Sequence, residues 1–250
     1  MPLRAITTAF GSGTSGVIAM SASAEVGDIA VLTVANAAYN ITSDMSLVGW
    51  TLQGSSASTS PGGELTVWTK TVTAPDIGAN VTITIATATR WAAAIMVRHN
   101  VLGLDVPPVF STSGSPTATP TAPSITTVSS GAELVSIYGI SPYVSGVTAT
   151  YSLPGGQTKL CDITSTSGSQ RNSAIAIGEE VLGLAGASGT RQAVSATTDV
   201  GSDNRVYQGT ASLAFTSAIP PTPASFTVKI RQSGVWVDKP LKARAGGVWV

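Results

Sequence analysis

The chain has 250 residues, a formal net charge of zero and only 10% charged residues. That length supports a sizeable core without cross-links, and the single cysteine, Cys161, excludes an intrachain disulfide and reads as a small buried hydrophobe. So little charge argues against a nucleic-acid binder and against an enzyme kept apart from its neighbours by repulsion.

From Gly27 onward, turn residues alternate with short β-rich runs at the spacing of a sandwich. Gly27-Asp28 opens the run Ile29–Val34, and Gly49-Trp50-Thr51-Leu52 begins the next. A Pro61-Gly62-Gly63 turn leads into Leu65–Val72, where Leu65, Val67 and Thr69 share one face and Trp68 takes the other. Val81-Thr82-Ile83-Thr84-Ile85 alternates cleanly, with threonine outward and the branched aliphatics inward. Arg90–Arg98 holds three alanines that favour a helix, but no cap marks a helix start, so it reads as a buried strand. Residues 107–123 are rich in Pro, Ser and Thr and read as an extended linker.

A second β-rich block follows, with runs at Leu134–Tyr138, Val147–Tyr151, Ala174–Ile177, Arg191–Ala196 and Ala211–Phe215. The expected fold class is all-β: a tandem pair of antiparallel β-sandwiches, or one large one, jelly-roll-like, plus a C-terminal hairpin repeat. The expected divisions are a sandwich over 1–106, the linker 107–123, a second sandwich over 124–218, and a Pro-rich hinge with the repeat over 219–250.

The repeat is the most regular feature of the chain. Lys229-Ile230-Arg231-Gln232-Ser233-Gly234-Val235-Trp236-Val237 returns thirteen positions later as Lys242-Ala243-Arg244-Ala245-Gly246-Gly247-Val248-Trp249-Val250. Each unit reads as strand, two-residue turn and strand, because glycine supplies the positive φ of a tight hairpin. Pairing about those turns sets Arg231 opposite Trp236, Lys229 opposite Asp238 and Arg244 opposite Trp249. From Lys229 to the end, five basic residues face one acid, so this tail carries +4 and the rest of the neutral chain −4. Either the strands complete a sheet of the preceding domain or of a neighbouring copy, or they dock on a different protein of a larger assembly. Lys229, Arg231, Trp236, Lys242, Arg244 and Trp249 are the candidate partner-binding residues.

Signals for chemistry are weak. Gly11-Ser12-Gly13-Thr14-Ser15-Gly16 matches G-x-G-x-x-G but lacks the following helix and the acidic residue of a dinucleotide site, and it reads as a flexible turn. His99, the one histidine, ends an apolar run with no nucleophile elbow to serve. Glu179 and Glu180 are neighbours on a strand and point to opposite faces. Asp199–Asn204 has oxygen ligands for calcium but not the loop pattern, and reads as a hairpin turn. Asn40-Ile41-Thr42 and Asn80-Val81-Thr82 fit the glycosylation sequon. Trp50, Trp68 and Trp91 read as core residues, with a sugar-stacking platform as the alternative. The expectation is no enzyme, no cofactor and no metal.

The longest apolar run, Trp91–Val97, is far short of the roughly 20 residues a membrane helix needs. Met1–Ile6 shows no secretory signal, which leaves release inside a virus particle as one route out of a cell. Gly27–Val31, Gly49–Leu52, Leu65–Lys70, Ala92–Val97 and the duplicated Gly-Val-Trp-Val ending together resemble the minor tail proteins of bacteriophages that infect actinobacteria. The resemblance covers most of residues 27–101 and 229–250. It implies a non-enzymatic virion component with β-sandwich domains, tied into the particle by its C-terminal element and located on the tail or as a capsid decoration. The partners it implies are other virion proteins and copies of the same chain. A host-surface glycan is the partner if the tryptophans instead serve a carbohydrate-binding module.

Overall fold

Glycine and proline punctuate a chain otherwise rich in Val, Ile, Thr and Ala, and the product is all-β: the described residues hold no α-helix and one 3-10 turn, Ala74–Asp76. The computed structural model describes residues 3–37, 45–59, 62–113, 119–142, 149–165, 172–197, 206–218, 227–232, 235–240, 244–245 and 248–249, with backbone alone in the last four segments and at a few strand ends. Two compact units divide the chain, Met1–Ile219 and Pro220–Val250.

The first sheet of the larger unit comes from β1 (Leu3–Ala19), β2 (Ile29–Asn36), β3 (Met45–Ser46), β4 (Thr51–Thr59), β5 (Gly62–Thr71) and β6 (Asn80–Arg98). Its order is β1-β6-β2-β5-β4, all antiparallel, with β3 beside the start of β6. In β2 both faces are apolar: Ala30, Leu32 and Val34 point to one side, and Val31 and Ala35 to the other. Burial on both faces explains why Ile29–Val34 shows no alternation of apolar and polar residues, with Thr33 as its one polar side chain.

The β1–β6 ladder breaks between Gly13 and Ser15. Beyond the break the pair folds back over its own sheet, since the Thr7 hydroxyl donates to the carbonyl of Ala19, twelve residues along the same strand, at 2.7 Å. Straight, that segment would span about 40 Å. Ile18, Ile83 and Ile85 from the folded-over part then pack with Leu32, Val34, Trp68, Trp91 and Ile95 in one cluster.

After the turn at His99-Asn100, where Asn100 adopts φ 55, the chain builds a second sheet. Asparagine tolerates this left-handed conformation better than most residues. The remaining strands of the unit are β7 (Val101–Ser113), β8 (Thr121–Ala122), β9 (Thr126–Thr127), β10 (Glu133–Pro142), β11 (Ala149–Ser152), β12 (Thr158–Thr164), β13 (Ala174–Val181), β14 (Gly186–Ala187), β15 (Arg191–Gln192), β16 (Val194–Thr197) and β17 (Val206–Ser217). The sheet runs β12-β13-β10-β17-β7. The short ribbons β8–β15, β9–β14 and β11–β16 supply Ala122, Ile125, Ala149, Tyr151 and Ala193 to cover its outer face at Leu134, Tyr138, Ala174 and Ala214.

The two sheets pack face to face. Val31, Leu65, Val67, Ala92, Ala94 and Met96 of the first meet Val135, Ile137, Ile175, Ile177, Leu213 and Phe215 of the second. Burial of each Val, Leu, Ile or Phe here contributes about 1.5–3 kcal/mol. Three polar ties cross the same layer. Ser173 Oγ donates to the Ala35 carbonyl at 2.8 Å, and the Tyr207 hydroxyl meets Ser56 through its carbonyl and, at 3.0 Å, its Oγ. Arg98 lies fully buried between two carboxylates, with Nη2 on Glu133 and Nη1 on Glu179 at 3.1 Å, its guanidinium 5.0 Å from the centre of the Phe215 ring.

Each half of the chain therefore supplies one sheet of a single large sandwich, so the division into sandwiches over 1–106 and 124–218 is corrected. The shared inter-sheet core joins the halves into one unit. The expected linker also begins inside β7. Pro107 and Pro108 are accommodated because β7 is an edge strand, and because Val106 and Val109 pair with Ala214 and Ser212, leaving both prolines in a bulge opposite Leu213.

The smaller unit consists of β18 (Thr227–Gln232) paired with β19 (Val235–Pro240), and β20 (Arg244–Ala245) paired with β21 (Val248–Trp249).

Candidate functional site

In the smaller unit Arg231 faces Trp236, Lys229 faces Asp238 and Arg244 faces Trp249, the registers expected from the repeat. Lys242 and both glycine turns, Ser233-Gly234 and Gly246-Gly247, lie outside the described residues. Among the described residues each ribbon pairs only within itself.

The glycine motif has a different role from either sequence reading. Gly11–Gly16 is not a loose turn but the corner of β1, and it wraps Trp91. A β-carbon on Gly11 or Gly16 would come within 2.8 Å or 2.7 Å of the indole, while Gly13 takes φ 119 at the break in the ladder. Its spacing serves a side chain of the same protein.

His99 sits at the turn between the sheets, its Nδ1 2.9 Å from Asn100 Nδ2. Glu179 and Glu180 do point apart, Glu179 inward to Arg98 and Glu180 outward to Arg191. Cys161 is partly buried, and burial, reinforced by Asp162, pushes its thiol up to about 12. Asp199–Asn204 and Asn40-Ile41-Thr42 lie outside the described residues. Among the described residues no three His, Cys, Asp or Glu side chains group as metal ligands.

The three tryptophans part company. Trp68 and Trp91 are 2% and 5% exposed and belong to the core, so no platform of three rings exists. Trp50 is only half-buried: it packs against the core cluster and also lines a surface cleft of about 480 Å³. The turn from β3 to β4 brings Leu47, Val48 and Trp50 to this cleft, and the folded-over start of β6 brings Asn80, Thr82 and Thr84. Lys70 and Asp76 also line it and form an ion pair of 2.6 Å. Burial alone would raise the Asp76 carboxyl, but hydrogen bonds from Lys70 and from the Thr73 hydroxyl and amide outweigh it and hold it below its ordinary value.

No family model, no curated protein and no solved structure matches the chain.

Sequence reading found the ribbons and missed the cleft. Lys70 and Asp76 are six residues apart on a strand and a 3-10 turn, and nothing in their spacing shows that they meet. The one available signal was the outward parity of Asn80, Thr82 and Thr84, which marks an exposed polar row without showing what lies opposite.

Proposed function

We propose that this chain is a non-enzymatic structural protein of a bacteriophage virion, a minor tail or tail-tip component that displays its sandwich and is anchored by its terminal repeat. The reading is supported by the two ribbons within the unit Pro220–Val250, each of which sets an arginine opposite a tryptophan. An isolated two-stranded ribbon is marginal in water, and an arginine across an indole adds only about 0.5–1 kcal/mol at an exposed site. Such ribbons gain stability when a partner strand takes up their open edges. Weak single contacts suffice on a particle, because many copies held together raise the effective concentration.

The partners are other virion proteins and further copies of the chain. The sandwich carries −4 and the repeat +4, so a basic repeat meeting an acidic neighbour is favoured. Capsid decoration is the second reading, supported by the same anchor.

The experiment is a deletion. Particles made with a chain ending at Ser225 should lack the protein although the shortened chain folds. Normal incorporation of the shortened chain would refute the anchor.

A further inference from the structure

We propose that the Trp50 cleft is a binding site for a neutral saccharide, a mono- or disaccharide unit presented to the displayed sandwich. The site is built entirely from residues of the larger unit and does not depend on whether the terminal ribbons anchor the protein.

Four observations converge on this ligand class. The first is an aromatic residue at the cleft: Trp50 packs against the core and also lines the cleft, with Leu47 and the almost fully exposed Val48. A half-buried tryptophan held by its core contacts suits the C–H face of a sugar ring, because an indole is flat and apolar and this one has little side-chain entropy left to lose.

The second is a polar row in the same cleft. Asn80, Thr82 and Thr84 occupy alternate positions of one strand, are all exposed and all line the cleft. Alternate residues repeat every 6.5 Å or so. Amide and hydroxyl groups both donate and accept hydrogen bonds, which suits a run of vicinal hydroxyls that do the same.

The third is the charge of the site. Its one cation and one anion, Lys70 and Asp76, already neutralise each other at 2.6 Å, and the second Asp76 oxygen is bound by Thr73. A ligand of either sign would have to compete with that pair, whereas a neutral polyol can accept from the lysine ammonium, which has three donors. This separates a neutral sugar from a phosphorylated, sulfated or sialylated one.

The fourth is size. At about 480 Å³ the cleft falls within the roughly 300–1,000 Å³ of small-molecule sites. Lined half by polar groups and open to solvent, it suits a hydrated ring better than an apolar ligand.

The test uses the full chain labelled with nitrogen-15 and follows the indole N–H resonances. Methyl glycosides of glucose, galactose, mannose and arabinose, with maltose and lactose, serve as neutral probes; 3′-sialyllactose and glucose 6-phosphate serve as charged ones. At least one neutral probe should shift the Trp50 resonance saturably while those of the buried Trp68 and Trp91 stay in place. Trp50→Ala should weaken that binding by about tenfold or more. Because Trp50 also contacts the core, the exposed substitution Thr82→Val provides a second variant that leaves the packing intact, and it should weaken binding about fivefold. The proposal is overturned if no neutral probe binds, if a charged probe binds more tightly than every neutral one, or if neither substitution changes the affinity of the folded protein.

Discussion

Gly16 lies directly against the indole of Trp91, so close that a β-carbon there would fall 2.7 Å from Cε2 and Cζ2 of the ring. Gly11, on the other side of the bend in β1, makes the same kind of contact at 2.8 Å, so the strand closes around one tryptophan. Gly16→Ala should therefore cost about 1–3 kcal/mol through overpacking. In a Trp91→Leu background the same substitution should cost clearly less, and urea unfolding of the four proteins in a double-mutant cycle checks this. Equal costs in both backgrounds would mean that the indole is not what glycine makes room for.

A second prediction concerns Arg98. Replacing it with methionine leaves Glu133 and Glu179 buried on the same face without their shared cation, and should destabilise the sandwich by about 3–5 kcal/mol. Replacing all three with apolar residues of similar volume should recover most of that loss. The urea midpoints of the single and triple variants decide the point.

The alkaline limit of stability follows from three tyrosines. Burial raises the phenols of Tyr151 and Tyr207 and pushes that of Tyr138 up to about 12. Above pH 10 the unfolded chain releases these protons while the folded chain keeps them, so the folded state binds more protons and stability falls as pH rises. These phenols should make stability decline steeply between pH 10 and about 12, on top of a gentler fall that the raised Cys161 thiol starts near pH 9. Thermal melts across that range, with Tyr207→Phe flattening part of the slope, measure it.

Cys161 should be a poor nucleophile. With its thiol pushed up to about 12 it carries little thiolate at pH 8, and its reaction with Ellman's reagent should be slower than that of a free cysteine by on the order of a thousandfold. Reaction at the free-cysteine rate, in the absence of denaturant, would show that the side chain is not held in its buried setting.

Much of the fold was legible because period-2 parity survives burial. Leu65 and Val67 did fall on one face and Trp68 on the other, and the outward threonines at 82 and 84 are exposed. Parity would also have found the buried ion cluster, since Arg98 continues the inward face of Ala94 and Met96 just as Glu133 continues that of Val135. What local pattern could not supply was which runs meet in space. β1 reads as a turn because its glycines, chosen for contact with Trp91, mimic a loop. β7 reads as linker because its prolines sit in an edge bulge. The same limit hid the cleft, whose lysine, aspartate and threonines come together only when the start of β6 folds back over the sheet. The terminal ribbons escaped it, since a hairpin's partner is its own neighbour in sequence.

The most direct measurement on the proposed function is gold-labelled electron microscopy of purified phage particles, using an antibody raised against residues 1–105. Label on the tail or its tip is the expected result, lost when the chain ends at Ser225. Unlabelled particles, with an antibody that binds the isolated protein, would contradict a place in the virion.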